Sequence, residues 1–123
     1  MEVWECIEKD INRTRSDLNF YSQKTGYKKS KEHTLLIRDK KIKEKIENYE
    51  YEETHRDVIA RILFVFASTN IGIGYSQGMN EIIAVIYYTL YNCEIEEERI
   101  HAEADSFWLF FSLISLVFYF LTY

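Results

Sequence analysis

Proline is absent from this 123-residue chain and glycine occurs four times. A β-sandwich or barrel needs frequent turn formers, so their scarcity argues against that class and for helices. Cysteine is scarce too: Cys6 and Cys93 lie far apart, in no CxxC spacing. That usage suits a reduced compartment rather than a disulfide framework, and a cytoplasmic protein is expected. The histidines (His33, His55, His101) are scattered and make no metal-ligand spacing with the cysteines or acids, so no metal is expected. There is no basic excess: the net charge is -5, which gives no support to nucleic-acid binding. The opening "MEVWECIEKD" is acidic and lacks the apolar core of a signal peptide. Asn12-Arg13-Thr14 is therefore read as an accidental match to a glycosylation sequon.

Apolar residues are plentiful, at 47%, enough for the core of one small folded domain. Val3/Trp4, Ile7, Ile11 and Leu18 recur at roughly helical spacing, which predicts a helix over about 2–13 and then an irregular stretch. Residues from about 20 to 34 are mostly polar and read as an exposed loop. Ile42, Ile46 and Tyr49 then mark one face of a highly charged helix. Nine of the fifteen Lys and Arg residues fall between Lys24 and Lys45. A solvated surface is the simpler reading of that segment; contact with an anionic membrane or an acidic partner is the alternative.

Thr54 is a candidate N-cap, with Asp57 an acid in the first turn. Val58, Ile62, Val65 and Phe66 share a face of the helix that follows, widened by Ile59 and Leu63. A second core helix is predicted after Ser76, its expected N-cap, because Ile82, Ile83, Val85 and Ile86 make it apolar nearly all round. Phe107 to Tyr123 carries no charge. Its seventeen residues are at the short end for a membrane span and have no flanking Lys or Arg. A buried core helix is therefore expected, with a tail anchor as the alternative.

Between the two central helices lies "GIGYSQGMNEI", Gly72 to Ile82. It is not a dinucleotide fingerprint: three residues, not two, separate Gly74 from Gly78, and no strand pattern precedes it. It lacks the Gly-Lys-Ser/Thr of a phosphate-binding loop, so it holds no nucleotide of its own. Gly72 and Gly74 permit unusual backbone angles and close approach by another molecule. Gln77 both donates and accepts, and so can orient a water without being its strong base. From these residues alone a structural corner is the simpler reading, and a phosphate belonging to a partner stays open.

Two motifs in order change that balance. "IEKDINR" carries Ile-x-x-Asp-x-x-Arg at Ile7, Asp10 and Arg13, and "YSQ" carries Tyr-x-Gln at Tyr75 and Gln77. Together with "RILFVFASTNIGIGYSQGMNEI", "IYYTLY" and "HAEADSFW", they resemble the N-terminal half of a TBC domain, the GTPase-activating domain for Rab proteins. The likeness covers roughly Trp4 to Ile114, with a divergent lysine-rich stretch between the motifs. It implies an all-α fold, the N-terminal helical subdomain of such a domain. It implies an arginine finger at Arg13 and a glutamine finger at Gln77, acting in trans on a GTP-bound Rab. Asp10 would position Arg13, while Tyr75, Gly78 and Asn80 would support the site or touch the Rab. The chain would need no cofactor, since GTP and Mg²⁺ are carried by the Rab. Its expected place of action is the surface of endomembranes.

The sequence departs from the family pattern at Ser16, where proline is frequent, and a looser turn after Arg13 is expected. It departs again at "SLVFYFLTY", which is more apolar than the family's continuation. The expectation is an incomplete domain, 1–123, with exposed apolar faces and a tendency to self-associate. Two alternatives stand beside an active domain. One is a non-catalytic Rab-binding or self-associating fragment, and the other is a small tail-anchored membrane protein.

Overall fold

A computed structural model describes residues 2–26 and 53–122. Among the described residues there are five α-helices, one short 3-10 helix and no strand beyond a single bridge. The all-α class is therefore observed. The expected helix marked by Ile42, Ile46 and Tyr49, and most of the basic segment, lie outside the described residues.

Helix α1 (Val3–Arg13) buries Trp4, Ile7 and Ile11, the stripe that the spacing predicts. Val3 and Leu18 are exposed instead. Val3 is one residue, or about 100°, off the Trp4 stripe, and Leu18 lies beyond the helix. The 3-10 helix Asn19–Ser22 follows. In the described part of the expected exposed loop, Ser22, Gln23, Lys24 and Gly26 are exposed, while Tyr21 and Thr25 are buried. Tyr21 is buried and its hydroxyl donates to the Ala84 carbonyl at 2.9 Å. Phe20 stacks on the His55 ring, with centroids 4.2 Å apart. The chain also pairs with the start of the next described segment. Thr25 N–H donates to the Glu53 carbonyl, and His55 N–H to the Gln23 carbonyl. Aromatic burial and backbone pairing thus fix a stretch whose polar composition suggested solvent.

Helix α2 (His55–Thr69) begins as expected. The Thr54 N–H donates to Asp57 Oδ2 at 2.9 Å, completing a capping box. Val58, Ile59, Ile62, Leu63 and Phe66 are buried. Burial of each such side chain contributes about 1.5–3 kcal/mol. Val65, expected on that face, is exposed. His55 is buried against aromatic rings, and burial lowers its imidazole to about 4, so it is neutral near pH 7. Its Nδ1 shares a 2.7 Å hydrogen bond with the Tyr87 hydroxyl, whose own pKa burial raises.

Arg61 is the one charge within the apolar run from Val58 to Ser68, and it too is buried. Its guanidinium grips Glu103 through Nε at 2.8 Å and Nη2 at 2.5 Å, and contacts Glu53 through Nη1. Burial opposes its charge, but the two carboxylates outweigh that and hold its pKa above the ordinary value. This ion triad joins α2 to the first turn of the C-terminal helix. Breaking such a buried pair by removing one partner typically costs about 3–5 kcal/mol.

Helix α3 (Met79–Tyr91) crosses α2, and the four-residue α4 (Glu96–Arg99) leads into α5 (Ala102–Thr122). Helix α3 is buried on one side only, at Met79, Asn80, Ile83, Ala84 and Tyr87. Ile82 and Val85, expected in the core, are exposed. Helix α5 packs on α3 and α2 through Ala102, Ser106, Phe110 and Ile114, a stripe repeating every fourth residue. Phe110 meets Phe66 edge to face at 5.0 Å. The rest of α5 contradicts the expectation of a buried helix: Trp108 is 61% exposed and Leu121 81%. By length and composition alone α5 could cross a membrane. The packed stripe, however, belongs to the core of this fold.

Candidate functional site

The last turn of α1 carries Asp10 and Arg13. Three residues apart on a helix, they lie on one face. Arg13 Nη2 approaches Asp10 Oδ1 at 3.6 Å, an ion pair too long for a hydrogen bond. The Arg13 side chain is 64% exposed and that of Asp10 only 12%. The cation therefore projects outward from a largely buried carboxylate. The helix stops at Thr14, whose N–H donates to the Ile11 carbonyl and whose hydroxyl donates to the Asp10 carbonyl at 2.7 Å. The turn beyond is closed by Leu18 N–H donating to the Arg15 carbonyl at 2.9 Å, with Arg15 at φ 45. Ser16 lies within that hydrogen-bonded turn.

The second segment leaves α2 at Asn70, whose carbonyl accepts from the Ile73 and Gly74 N–H groups. The left-handed glycines are Gly74 and Gly78, at φ 68 and φ 105, rather than Gly72. Gly78, not Ser76, is the N-cap of α3. The reason is local: the Asn80 carbonyl oxygen Oδ1 accepts the Gly78 N–H at 3.0 Å, and the helix starts two residues later than the serine suggested. Gln77 therefore sits in the turn before the helix. It is exposed, with no hydrogen bond to another described residue.

Two side chains join these segments across more than sixty residues of sequence. The Tyr75 hydroxyl donates to Asp10 Oδ2 at 2.5 Å. Burial, and then the Asp10 carboxylate, raise the Tyr75 pKa far above its ordinary value, so the phenol stays a neutral donor. Asn80 is buried, and its amide nitrogen donates to Thr14 Oγ1 at 2.8 Å. A continuous path runs from Gly78 N–H through the Asn80 amide and the Thr14 hydroxyl to the Asp10 carbonyl. The sequence-predicted residues Asp10, Tyr75, Gly78 and Asn80 thus meet in one network. It lies beneath the segments that carry Arg13 and Gln77. Thr14, which the sequence reading did not single out, is its central member; its only signal was its place directly after Arg13.

The network is polar, largely buried and satisfied, which favours rigidity. What it leaves outside is a planar guanidinium and an amide that donates and accepts. A guanidinium can pair with anionic oxygens, and an amide can hold a water. A cavity of about 20 Å³ elsewhere, lined by Glu53, Tyr87, Arg99 and Glu103 among others, includes none of these residues. The candidate site is a surface. Among the described residues, no group of three or more His, Cys, Asp or Glu side chains is placed to hold a metal ion.

The family model for the Rab-GTPase-TBC domain matches residues 1–123. Human TBC1 domain family member 13 is 32% identical over 93% of this chain, and so is its mouse counterpart. A TBC domain-containing protein of Schizosaccharomyces pombe is 50% identical over 46% of the chain. The chain spans 38% of the length of the human and mouse relatives and 9% of the yeast protein. No solved structure gives a significant match. The chain belongs to the Rab-GTPase-TBC domain family.

Proposed function

We propose that the chain activates GTP hydrolysis by a Rab-family GTPase, with Arg13 and Gln77 entering the partner's active site. The observation that carries this reading is the pair of bonds Tyr75–Asp10 and Asn80–Thr14, which bind the two motif segments to each other while Arg13 and Gln77 stay exposed. In phosphoryl transfer, negative charge spreads over the transferring oxygens. Arg13 would meet that charge as a fixed cation whose planar fork matches phosphate geometry. Gln77 would orient the attacking water rather than deprotonate it. Asp10 orients Arg13 at its base, and Tyr75 keeps Asp10 in place. GTP and Mg²⁺ belong to the partner, and the chain works in the cytoplasm at endomembrane surfaces that the Rab marks.

In other GTPase systems an arginine so placed is worth about 10³–10⁵ in rate, or about 4–7 kcal/mol of barrier. The test is single-turnover hydrolysis with a panel of GTP-loaded Rab proteins, comparing the chain with Arg13→Ala and Gln77→Ala. A second reading is a Rab-binding or self-associating domain without catalysis. It is favoured by the exposed apolar faces of α3 and α5, where Val85 and Trp108 lie open. Binding to GTP-loaded Rab without acceleration selects that reading over the first.

A further inference from the structure

We infer that Arg56 is a positioning residue for Arg13, acting on the backbone at either side of it; the inference rests on the reading of Arg13 as the partner-facing arginine. Arg56 is the second residue of α2, whose first turn the Thr54–Asp57 box fixes. Its Nη1 donates to the Ile11 carbonyl at 2.6 Å and to the Thr14 carbonyl at 2.8 Å. Those two carbonyls flank Arg13 in sequence, one inside the last turn of α1 and one just past its end.

The last carbonyls of a helix lack intrahelical partners, and that end carries partial negative charge. Here the Ile11 carbonyl already accepts the Thr14 N–H; the Arg56 guanidinium adds a second donor to it, meets the Thr14 carbonyl and sets a positive charge at that end. The position is also demanding. Two residues after Arg13 the backbone turns left-handed at Arg15, a conformation that non-glycine residues adopt only when their surroundings enforce it. Arg13 itself is mostly exposed and makes no hydrogen bond with Asp10. Beyond the 3.6 Å ion pair with Asp10, its aim is set by its backbone, and Arg56 is the side chain from another helix that clamps that backbone on both sides.

Charge alone does not account for this contact. Arg56 points at main-chain carbonyls. One nitrogen makes both bonds, so the planar fork is not required. An ammonium of similar reach can replace it in part, and a neutral thioether cannot.

Two measurements on the full chain test the clamp. The first is amide hydrogen exchange. In Arg56→Met, exchange at the hydrogen-bonded Thr14 and Leu18 amides rises by about tenfold or more, while α3 and α5 keep their protection. Arg56→Lys restores much of that protection. The second is single-turnover hydrolysis with a responsive Rab. Arg56→Met lowers the maximal rate by about 10- to 100-fold and leaves the half-saturating chain concentration little changed. In an Arg13→Ala background the same substitution changes nothing further, because the two act as one unit. Unchanged exchange at Thr14 and Leu18 overturns the inference. So does an equal loss of rate with and without Arg13, or loss of protection throughout α3 and α5, since either makes Arg56 a general stabiliser. A chain that accelerates no Rab sinks the proposed function separately. The exchange data then decide the clamp alone, raised values supporting it and unchanged values overturning it.

Discussion

Tyr75 shows how a single polar atom can tie a site together. Its hydroxyl reaches Asp10 from a segment sixty-five residues away, and it is a neutral donor to a largely buried carboxylate. Tyr75→Phe removes the donor and leaves the ring. The carboxylate then loses a charge-assisted hydrogen bond, and unfolding free energy should fall by about 1.5–3 kcal/mol. A urea denaturation curve reads this directly; an unchanged midpoint with unchanged slope would count against the bond. GTPase activation should fall as well, since Asp10 loses its anchor. At this scale the sequence was informative in one direction only. Asp10, Arg13, Tyr75 and Gln77 stand in recognisable spacings. Thr14 and Arg56 do not, because what they do is bond carbonyls and hydroxyls brought close by folding. Arg61 had a signal, a lone charge in an apolar run, but its two carboxylate partners lie eight residues before it and forty-two after it in the chain.

The elements show where periodicity was enough and where it was not. The α1 stripe and the α2 cap follow from short-range rules of spacing and side-chain acceptance. The start of α3 does not. Ser76 is the usual cap residue, yet the helix begins after Gly78, whose φ of 105 only glycine adopts without strain. A Cβ at Gly78 would meet nothing within 4 Å, so the cost of adding one is in the backbone and not in a clash. Gly78→Ala should therefore destabilise by about 1–2 kcal/mol, and Gly78→Asn by less. Thermal melts of the two variants test this ordering. Equal melting temperatures for wild type and Gly78→Ala would contradict the strained turn. Since Gln77 precedes this glycine, relaxing the turn should also displace the amide and slow the partner's hydrolysis. The 20–26 stretch teaches the converse. Its polar letters suggested solvent, but Phe20 and Tyr21 found aromatic partners and the backbone found Thr54.

Over the whole molecule, core and surface are unevenly matched. Helices α1, α2, α3 and α5 share one continuous core. Beyond it, Leu109, Leu113, Leu116 and Phe120 recur along α5 at i, i+4, i+7 and i+11, all exposed. That spacing makes a second apolar stripe beside the packed one, about 100° round the helix from Phe110 and Ile114. Composition foretold an apolar helix here; it could not tell which side would be covered. A stripe of this kind in water predicts association of the chain with itself. Sedimentation of the wild type at micromolar concentration should show oligomers, and the Leu113→Glu/Leu116→Glu double variant should return it to monomer. A wild-type monomer at those concentrations would oppose the prediction.

The rate of GTP hydrolysis by a Rab partner bears most directly on the two-segment site. Under single-turnover conditions, with the panel of GTP-loaded Rab proteins, the chain should accelerate at least one of them. Arg13→Ala should then lose about 10³-fold or more of that acceleration, and Gln77→Ala should also lose most of it. Acceleration that survives intact in Arg13→Ala, or none by the wild-type chain with any Rab, would contradict the account.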